Sequence, residues 1–524
     1  MINIQNIPEF KKAIPLIDKI EEAGYEAYFV GGGVRDTLLH LPISDIDIAS
    51  SAVPDEIQRI FPITFDVGIK HGTVMVLHEK MTYEITTFRT ESKYEKFRRP
   101  ESVQYVRRLD EDLKRRDFTI NAIALDRDGI LKDPFDGKED IEKRLIRAVG
   151  NPLERFREDA LRMMRAARFI SQLGFNVEEE TKQAVKDYHP LLSKIAVERI
   201  RDEWAKLLVG RNRKGGIKFF VETRLFQVCP GFQNREESLI DLALFPVQFQ
   251  SQLIAWTILL YFLDVPIDHI ESFLKDWKLS NKEIRDIKKA YIALHHRLKM
   301  SWNHHILFDT GIEIALEVEE MVSGFGMAAD LNQLLTLHKT MPIYTTRDIH
   351  TNGKEVMEIL GSRKAGPYLG IILDDIKNNI LAGKLKNNQA EIKNYIMKRK
   401  SIFMDELQID EYVVKKEHTA AYLGSGELDV LASPALVTFM ENSCKEMLKK
   451  IVMPEETSVG TFISLQHRAP SALGAKIKIE IKTKEFHRNK YSFSLVAKEN
   501  DQIIAIGEHT RAVVNRKKFM DTLL

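Results

Sequence analysis

Two neighbouring stretches decide the fold of the N-terminal region. The sequence Phe-Val-Gly-Gly-Gly-Val-Arg-Asp (residues 29–36) places three glycines between an apolar run and a helix start, and Ser-Asp-Ile-Asp-Ile follows at residues 44–48. Glycines at such a junction let backbone N–H groups and the helix dipole approach a phosphate. Alone, the glycine run is also typical of a tight turn, and it lacks the ending of a P-loop.

Outward from these stretches, β-branched runs alternate with turn signals and predict an α/β domain with one mixed sheet. The predicted strands are 28–30, 46–48, 73–76, 82–86 and 122–125, with helices at 34–39 and 54–60. From about residue 153 to residue 399 the apolar periodicity is helical and predicts a bundle. Beyond residue 402, a helix at 434–450 and alternating strands predict a separate α+β domain.

Length and composition limit the classes of protein. The 524 residues predict several domains, and 44% hydrophobic with 29% charged residues excludes a disordered or a membrane protein. Cys229 and Cys444 lack the spacing of a metal site or a disulfide framework, so we expect a cytoplasmic protein. Because the net charge is +1, a nucleic-acid partner is indicated only by the Lys and Arg residues concentrated between residues 89 and 168.

Asp45 and Asp47 are the first candidates for chemistry. On a strand, residues two apart project to the same face, and two adjacent carboxylates repel unless a cation lies between them. Magnesium prefers oxygen ligands, and two such ions can activate a hydroxyl and stabilise a departing pyrophosphate. We therefore predict Asp45 and Asp47 as catalytic Mg²⁺ ligands. Glu84, on a later strand, is either a third carboxylate or an ordinary surface residue.

A second group of candidates recurs every three residues along a predicted helix: Asp159, Arg162, Arg165 and Arg168. Such rows are usually ion pairs on a solvated helix. Alternatively, Asp159 accepts from the exocyclic amine of cytosine or adenine while Arg162 donates to the neighbouring ring nitrogen or carbonyl. This pair would reject U and G, which present a carbonyl in place of the amine, and it needs no nucleic-acid template.

Residues 114–122 read Lys-Arg-Arg-Asp-Phe-Thr-Ile-Asn-Ala. Arginines of this segment can hold a triphosphate through forked hydrogen bonds. For Arg115 alone, contact with an RNA backbone is an equally good interpretation.

Together these motifs resemble those of class II CCA-adding enzymes of the polymerase-beta-like nucleotidyltransferase superfamily. The likeness is close from residue 28 to about residue 208 and returns at 352–354 and 364–367. It implies Mg²⁺ on Asp45 and Asp47, and it makes segment 86–100 the family's flexible loop. The nucleotide contacts that it implies are Gly32, Arg35, Arg116, Asp159, Arg162, Arg165 and Arg168.

The resemblance also implies the activity and the domain plan. It implies a tRNA nucleotidyltransferase that adds C, C and A to the 3′ end of tRNA from CTP and ATP without a template. The implied domains are a head at 1–150, a neck at 151–210 and a tRNA-binding helical body and tail at 211–401. Bacterial poly(A) polymerases share the head and neck motifs and are the alternative, although their long basic C-terminal tail is missing.

The C-terminal residues, 402–524, resemble hot-dog thioesterases of the fluoroacetyl-CoA type. The resemblance implies an acyl-thioester site at Ser433, Glu441 and His467, with serine where the family has threonine. Each residue also has a structural interpretation: Ser433 as a helix N-cap, Glu441 as helix surface and His467 as the end of a strand. We therefore expect either a thioesterase, which could be the main activity of the protein, or a module that binds an acyl-CoA without hydrolysing it. The resemblance also implies a homodimer, which hot-dog domains commonly form.

Overall fold

The computed structural model describes most of the chain as two compact units. One unit comprises Met1–Ser301 and Glu313–Leu331, and the other comprises Trp302–Ile312 and Asn332–Leu524. The described residues are 2–68, 72–91, 94–95, 99–100, 103–361, 368–398, 407–449, 452, 455–487 and 489–521. Segment 364–367, the boundary at 401–402 and parts of the 86–100 loop therefore lie outside them. In the described ranges, no helix is long and apolar enough to cross a membrane.

A mixed seven-stranded sheet forms the N-terminal part of the first unit, as predicted. Asp47–Ser50 pairs antiparallel with Ala27–Val30 on one side and parallel with Met81–Thr87 on the other. Across the sheet the strand order is Leu131–Lys132, Ala124–Leu125, Ala27–Val30, Asp47–Ser50, Met81–Thr87, Thr73–His78 and Thr64–Gly68. Its apolar side chains, among them Phe29, Ile48 and Ile85, are buried.

Among the predicted strand limits that differ from the observed ones, two bear on the candidate residues or on the length of a strand. The second strand begins at Asp47, so Asp45 precedes it and the strand alternation does not apply to that residue. The strand predicted at 122–125 is reduced to Ala124–Leu125 because the chain before it, Thr119–Asn121, forms a 3₁₀ turn.

Helices make up most of the rest of the first unit, as the periodicity predicts. The apolar helix Gln252–Phe262 is buried from Ile254 to Leu260 and is a core helix. The α-helices of the first unit are Pro8–Glu22, Gly32–Leu38, Pro54–Ile60, Leu109–Lys114, Gly137–Glu142, Pro152–Glu158, Leu161–Leu173, Glu179–Tyr188, Val197–Leu208, Arg213–Glu222, Glu236–Leu244, Gln252–Phe262, Ile270–Asp276, Asn281–Arg297 and most of Ile312–Val322.

The second unit contains a helical part and a sheet. The helices are His304–Thr310, Leu331–Lys339, Gly353–Leu360, Tyr368–Leu381 and Gln389–Lys398. The sheet is antiparallel, in the order Gln408–Val413, Lys476–His487, Lys490–Glu499, Gln502–Asn515 and Glu456–His467. The long helix Ser433–Lys449 packs on it, with Tyr412 stacked on Phe439 at 4.5 Å between ring centroids. This is the hot-dog arrangement.

The buried carboxylate of Asp117 joins the segment that precedes the strand Ala124–Leu125 to the helix Leu161–Leu173, here called the neck helix. Asp117 accepts from Arg165 at 2.6 Å, from the Phe118 backbone N–H at 2.8 Å and from the Asn121 amide at 3.1 Å. Burial alone would raise the pKa of Asp117. Arg165 and the other donors outweigh burial, and they hold the pKa well below its ordinary value of 3.8.

We expect Asp117→Asn to cost about 1–3 kcal/mol of unfolding free energy at pH 7, because the half-buried Arg165 charge loses its closest partner and keeps only Glu203, 4.0 Å away. The carboxylate stabilises the fold fully above its unfolded pKa, and this contribution disappears as the pH falls towards the lower folded pKa. Urea unfolding at a series of pH values should therefore show the gap to the native protein narrowing below about pH 4. Asp128→Asn, at an exposed position, is the control, and a gap independent of pH would contradict the assignment.

Candidate active site

One cavity of about 1000 Å³ in the first unit collects residues from all the N-terminal motifs. The predicted residues that line it are Gly32, Arg35, Asp47, Glu84, Arg116, Asp159, Arg162, Arg165 and Arg168. Asp45 is not part of this lining and is exposed directly before the strand. The structure thus gathers in one place residues that are up to 136 positions apart in the chain, from Gly32 to Arg168.

The glycine run brings backbone close to the acidic segment. Gly31 has φ +75°, and a Cβ on it would lie 3.3 Å from Arg116 Nη1 and 3.4 Å from Asp47 Oδ2. A Cβ on Gly33 would lie 2.9 Å from the Asp45 carbonyl oxygen. Because a side chain at Gly31 would be strained as well as crowded, this glycine is required for the approach. Gly32 begins the short helix that carries Arg35.

The carboxylates of the site repel one another. Asp47 and Glu84 are directly paired on adjacent parallel strands, and both line the cavity. Burial raises the pKa of Asp47, and the charges of Glu84 and Asp45 act in the same direction, against the effect of Arg116. Within the described residues, no group of three or more His, Cys, Asp or Glu side chains is arranged to hold a metal. Hard carboxylate oxygens that repel one another nevertheless fit a divalent cation whose remaining ligands are water and phosphate.

The arginines expected at the triphosphate are held by counter-charges. Arg35 donates to Asn121 at 2.7 Å and forms an ion pair with Asp36 at 2.7 Å. Arg116 forms an ion pair with Asp112 at 3.2 Å, and Arg115 pairs with the same carboxylate at 2.8 Å. The Asp112 side chain is fully buried, so this double pair fixes both arginines at the cavity wall.

The row from Asp159 to Arg168 does not form the continuous helix that the spacing predicts. The helix Pro152–Glu158 ends before Asp159, whose backbone is extended at φ −139° and ψ 104°. The neck helix then starts at Leu161. Asp159 therefore accepts from the Leu161 backbone N–H at 3.0 Å and from Arg199 at 2.7 Å. Because of the break, the Asp159 carboxylate does not lie on the same face of one helix as the three arginines. It points towards Arg199 on the helix Val197–Leu208.

Arg162 lies beside Asp159 with its guanidinium held by three acceptors. It donates to Glu158 at 2.7 Å, to the Arg155 carbonyl at 3.1 Å and to the Arg115 carbonyl at 2.6 Å. The side chain is buried, with 9% of its surface exposed. These bonds fix the plane of the guanidinium at the cavity wall.

The last two arginines of the row are neutralised from two sides. Arg165 binds Asp117, and Arg168 forms an ion pair with Glu203 at 3.1 Å. Arg168 also lies over the Phe169 ring, 4.3 Å from its centroid. Burial lowers the pKa of Arg168 to about 10, so the side chain remains cationic at neutral pH.

Sequence reasoning missed the counter-charges, above all Arg199 and Glu203 on the helix Val197–Leu208. The helix lies in the region whose periodicity is helical, but the partners of these two residues lie 35 and 40 positions away in the chain, so no local spacing indicates the pairing. Glu203 carries one signal: it is a carboxylate at a buried position of an amphipathic helix, and buried carboxylates are normally paired. Asp117 and Asn121 lie within residues 114–122, for which the sequence predicted a role only for the arginines.

In the C-terminal domain the structure brings together two of the three predicted residues. The Ser433 hydroxyl lies 2.9 Å from His467 Nδ1. Burial lowers the pKa of His467, so a neutral imidazole can accept a proton from the hydroxyl. The N-cap interpretation of Ser433 is wrong, because the helix Ser433–Lys449 begins at Ser433 itself and its first backbone bond runs from Leu436 to the Ala432 carbonyl.

Glu441 belongs to a different cluster. Its Oε1 lies 3.5 Å from His509 Nε2, and Arg511 Nη1 lies 3.0 Å from the same ring nitrogen. Eight residues along a helix span about 12 Å, so Glu441 cannot reach the Ser433 hydroxyl in the same chain. That spacing was readable in the sequence.

Comparison with protein families divides the chain in the same way. Residues 27–147 match the family described as "Poly A polymerase head domain", and residues 174–235 match "Probable RNA and SrmB- binding site of polymerase A". Residues 247–396 match a tRNA nucleotidyltransferase domain 2. Residues 414–517 match the family described as "Fluoroacetyl-CoA-specific thioesterase".

Full-length relatives agree with one another. The CCA-adding enzyme of Enterococcus faecalis is 46% identical over 402 residues, which cover 76% of this chain and 99% of that protein. The CCA-adding enzyme of Bacillus cytotoxicus is 44% identical over 393 residues, 74% of this chain and 98% of that protein. The crystal structure of the Bacillus stearothermophilus CCA-adding enzyme in complex with CTP has 41% identity and a TM-score of 0.69, over 75% of this chain and 98% of that one.

These relatives are named CCA-adding enzymes and match along nearly their whole length. They support neither poly(A) polymerase nor thioesterase as the main activity. The chain therefore belongs to the CCA-adding enzyme family of tRNA nucleotidyltransferases and carries a thioesterase-type hot-dog domain at its C-terminal end.

Proposed function

We propose that the protein adds C, C and A to the 3′ end of tRNA from CTP and ATP, releasing pyrophosphate and using no nucleic-acid template. The observation that carries the proposal is the shared cavity, in which Asp159 and Arg162 face the same space as Asp47 and Arg116. One nucleoside triphosphate can therefore present its base to the first pair while its phosphates lie against the second.

Nucleotidyltransferases of this family depend on a divalent metal, and we propose Mg²⁺ held by Asp45 and Asp47. When bound, the metal would favour deprotonation of the tRNA 3′-hydroxyl and stabilise the charge of the leaving pyrophosphate. Glu84, paired with Asp47 on the next strand, would offer a third carboxylate to the same cation. Asp45 would complete the set from the loop, where its exposed position leaves room for movement.

The remaining residues position the nucleotide. Gly32, Arg35 and Arg116 border the space next to Asp47 and would bind the triphosphate. Asp159 would accept from the exocyclic amine of C or A, and Arg162 would donate beside it. Arg165 and Arg168 would hold this pair through the neck helix or bind phosphate oxygens.

For the tRNA we propose the domain plan of the family. Residues 1–150 form the head, 151–210 the neck, 211–401 the tRNA-binding body and tail, and 402–524 the hot-dog domain. The family matches to residues 174–235 and 247–396 support an RNA-binding role for the helical part.

The decisive assay is incubation with Mg²⁺, tRNA lacking its 3′-terminal CCA, and labelled CTP, ATP, UTP or GTP, singly and together. We expect two C residues and then one A, with U and G excluded. Asp45→Ala and Asp47→Ala should each lower incorporation by at least about 1000-fold, because each removes a ligand of the cation that stabilises the transition state. The exposed Asp55, on the helix Pro54–Ile60, provides the control Asp55→Ala.

A-only tailing would replace this proposal with poly(A) synthesis. Full activity of both aspartate variants would remove the assignment of the catalytic carboxylates.

For the hot-dog domain we propose hydrolysis of an acyl-CoA thioester. The supporting observation is the contact between the Ser433 hydroxyl and His467 Nδ1, since an imidazole of lowered pKa can serve as general base for that hydroxyl or for a water. The family match to residues 414–517 supports the substrate class. Glu441, which lies apart from this pair, would act only from a second copy of the domain, which is consistent with the homodimer expected of hot-dog domains.

We expect hydrolysis of acetyl-CoA or fluoroacetyl-CoA, measured by thiol release, to fall at least about 100-fold in Ser433→Ala and in His467→Ala. Thr438→Ala, at an exposed position five residues further along the same helix, should leave the rate unchanged. Acyl-CoA binding without any thiol release from the native protein would instead establish a binding module. Light scattering of the full chain tests the homodimer directly.

A further inference from the structure

The conformation of Asp159 is not fixed by its own helix. The residue is extended at the junction between Pro152–Glu158 and the neck helix, so its carboxylate direction depends on hydrogen bonds. One comes from the Leu161 backbone N–H to Oδ1 at 3.0 Å. The other comes from Arg199, whose Nη2 donates to Oδ2 at 2.7 Å and whose Nη1 lies 3.5 Å from Oδ1.

Arg199 can hold the carboxylate without blocking it. An ionised carboxylate has about four acceptor positions, and the two strong bonds use one on each oxygen. An exocyclic amine of an incoming base can therefore still donate to Asp159. Charge-assisted bonds of this kind are roughly twice as strong as neutral ones, so the fork of Arg199 makes the larger contribution to the direction of the carboxylate.

The helix Val197–Leu208 carries charges complementary to the whole row opposite it. Arg199 faces the carboxylate of Asp159, and Glu203, one turn later, pairs with Arg168 at 3.1 Å and lies 4.0 Å from Arg165. Both Arg199 and the row line the same cavity. Positive and negative charges therefore alternate in register between the two helices.

We propose that Arg199 is a positioning residue for base selection: it holds the Asp159 carboxylate as a fixed acceptor and thereby sharpens the choice of C and A over U and G. The inference rests on the proposed role of Asp159. Arg199 acts through Asp159, so a base carrying an amine gains from the fixed acceptor, whereas a base carrying a carbonyl does not. Misplacement by about 1 Å is enough to lower a rate about 100-fold.

The test is the ratio of kcat/KM for CTP and ATP to that for UTP and GTP, on the full chain with Mg²⁺ and tRNA lacking its 3′ end. In Arg199→Ala we expect this ratio to narrow by about tenfold or more, the kinetic equivalent of losing about one charge-assisted hydrogen bond. Arg199→Lys, which keeps the charge but not the fork, should recover part of the ratio. Arg201→Ala is the matched control, since Arg201 lies on the same helix and binds Asp202 and the Lys278 carbonyl.

Asp159→Ala separates the two levels of the hypothesis. If that variant keeps native selection, the proposed reading by Asp159 fails. Suppose instead that Asp159→Ala loses selection. If Arg199→Ala then keeps native selection, or loses activity equally for all four nucleotides, the role of Arg199 fails and the reading by Asp159 stands. Adding Arg199→Ala to Asp159→Ala should have no further effect on the ratio, and an additional effect would show that Arg199 does not act through Asp159.

Discussion

The ion pair between Asp117 and Arg165 is the constraint on which the site depends. Asp117 follows Arg115 and Arg116 directly in the chain, and Arg165 lies in the middle of the neck helix. The pair therefore sets the distance between the arginines proposed to hold the phosphates and the groups proposed to face the base. Since a nucleotide has a fixed length, a cavity that binds both of its ends needs this distance to be constant. The pair provides that constancy because the Asp117 carboxylate is buried and accepts from Arg165, so removing Arg165 would leave a buried charge without its closest partner.

The same principle extends around the cavity. Arg35 is matched by Asp36, Arg115 and Arg116 by Asp112, and Asp159 by Arg199. Each matched group is oriented before any substrate enters, so little reorganisation is needed during the reaction. The pairing also explains how a chain with a net charge of only +1 holds a dense group of arginines: carboxylates on neighbouring elements offset them within the site.

The sequence predicted which residues line this cavity better than it predicted how their side chains are held. Asp47, Arg116, Asp159 and Arg162 were identified because each lies in a short motif whose residue types suit one ligand. The helix break at Asp159 was not predicted, because charges at three-residue intervals also suit an unbroken helix. Arg199 was missed for a different reason: its partner is 40 positions away, and only the packing of two helices brings the two side chains together. Long-range charge pairing is a property of the tertiary structure and leaves no local pattern.

In the hot-dog domain, too, distance along the sequence does not predict which side chains meet. Ser433 and His467 lie on a helix and a strand 34 positions apart, yet they meet at 2.9 Å, as the resemblance to thioesterases implies. Glu441 lies on the same helix as Ser433, and for that reason it cannot meet it, since helical geometry fixes their separation at about 12 Å. Ser433 and Glu441 are thus kept apart by the helix that contains both, whereas the packing of that helix on the sheet brings Ser433 to His467. The proposed hydrolytic site would therefore bring Glu441 to the Ser433 hydroxyl only from a second copy of the domain, so its catalysis and its self-association are tested together.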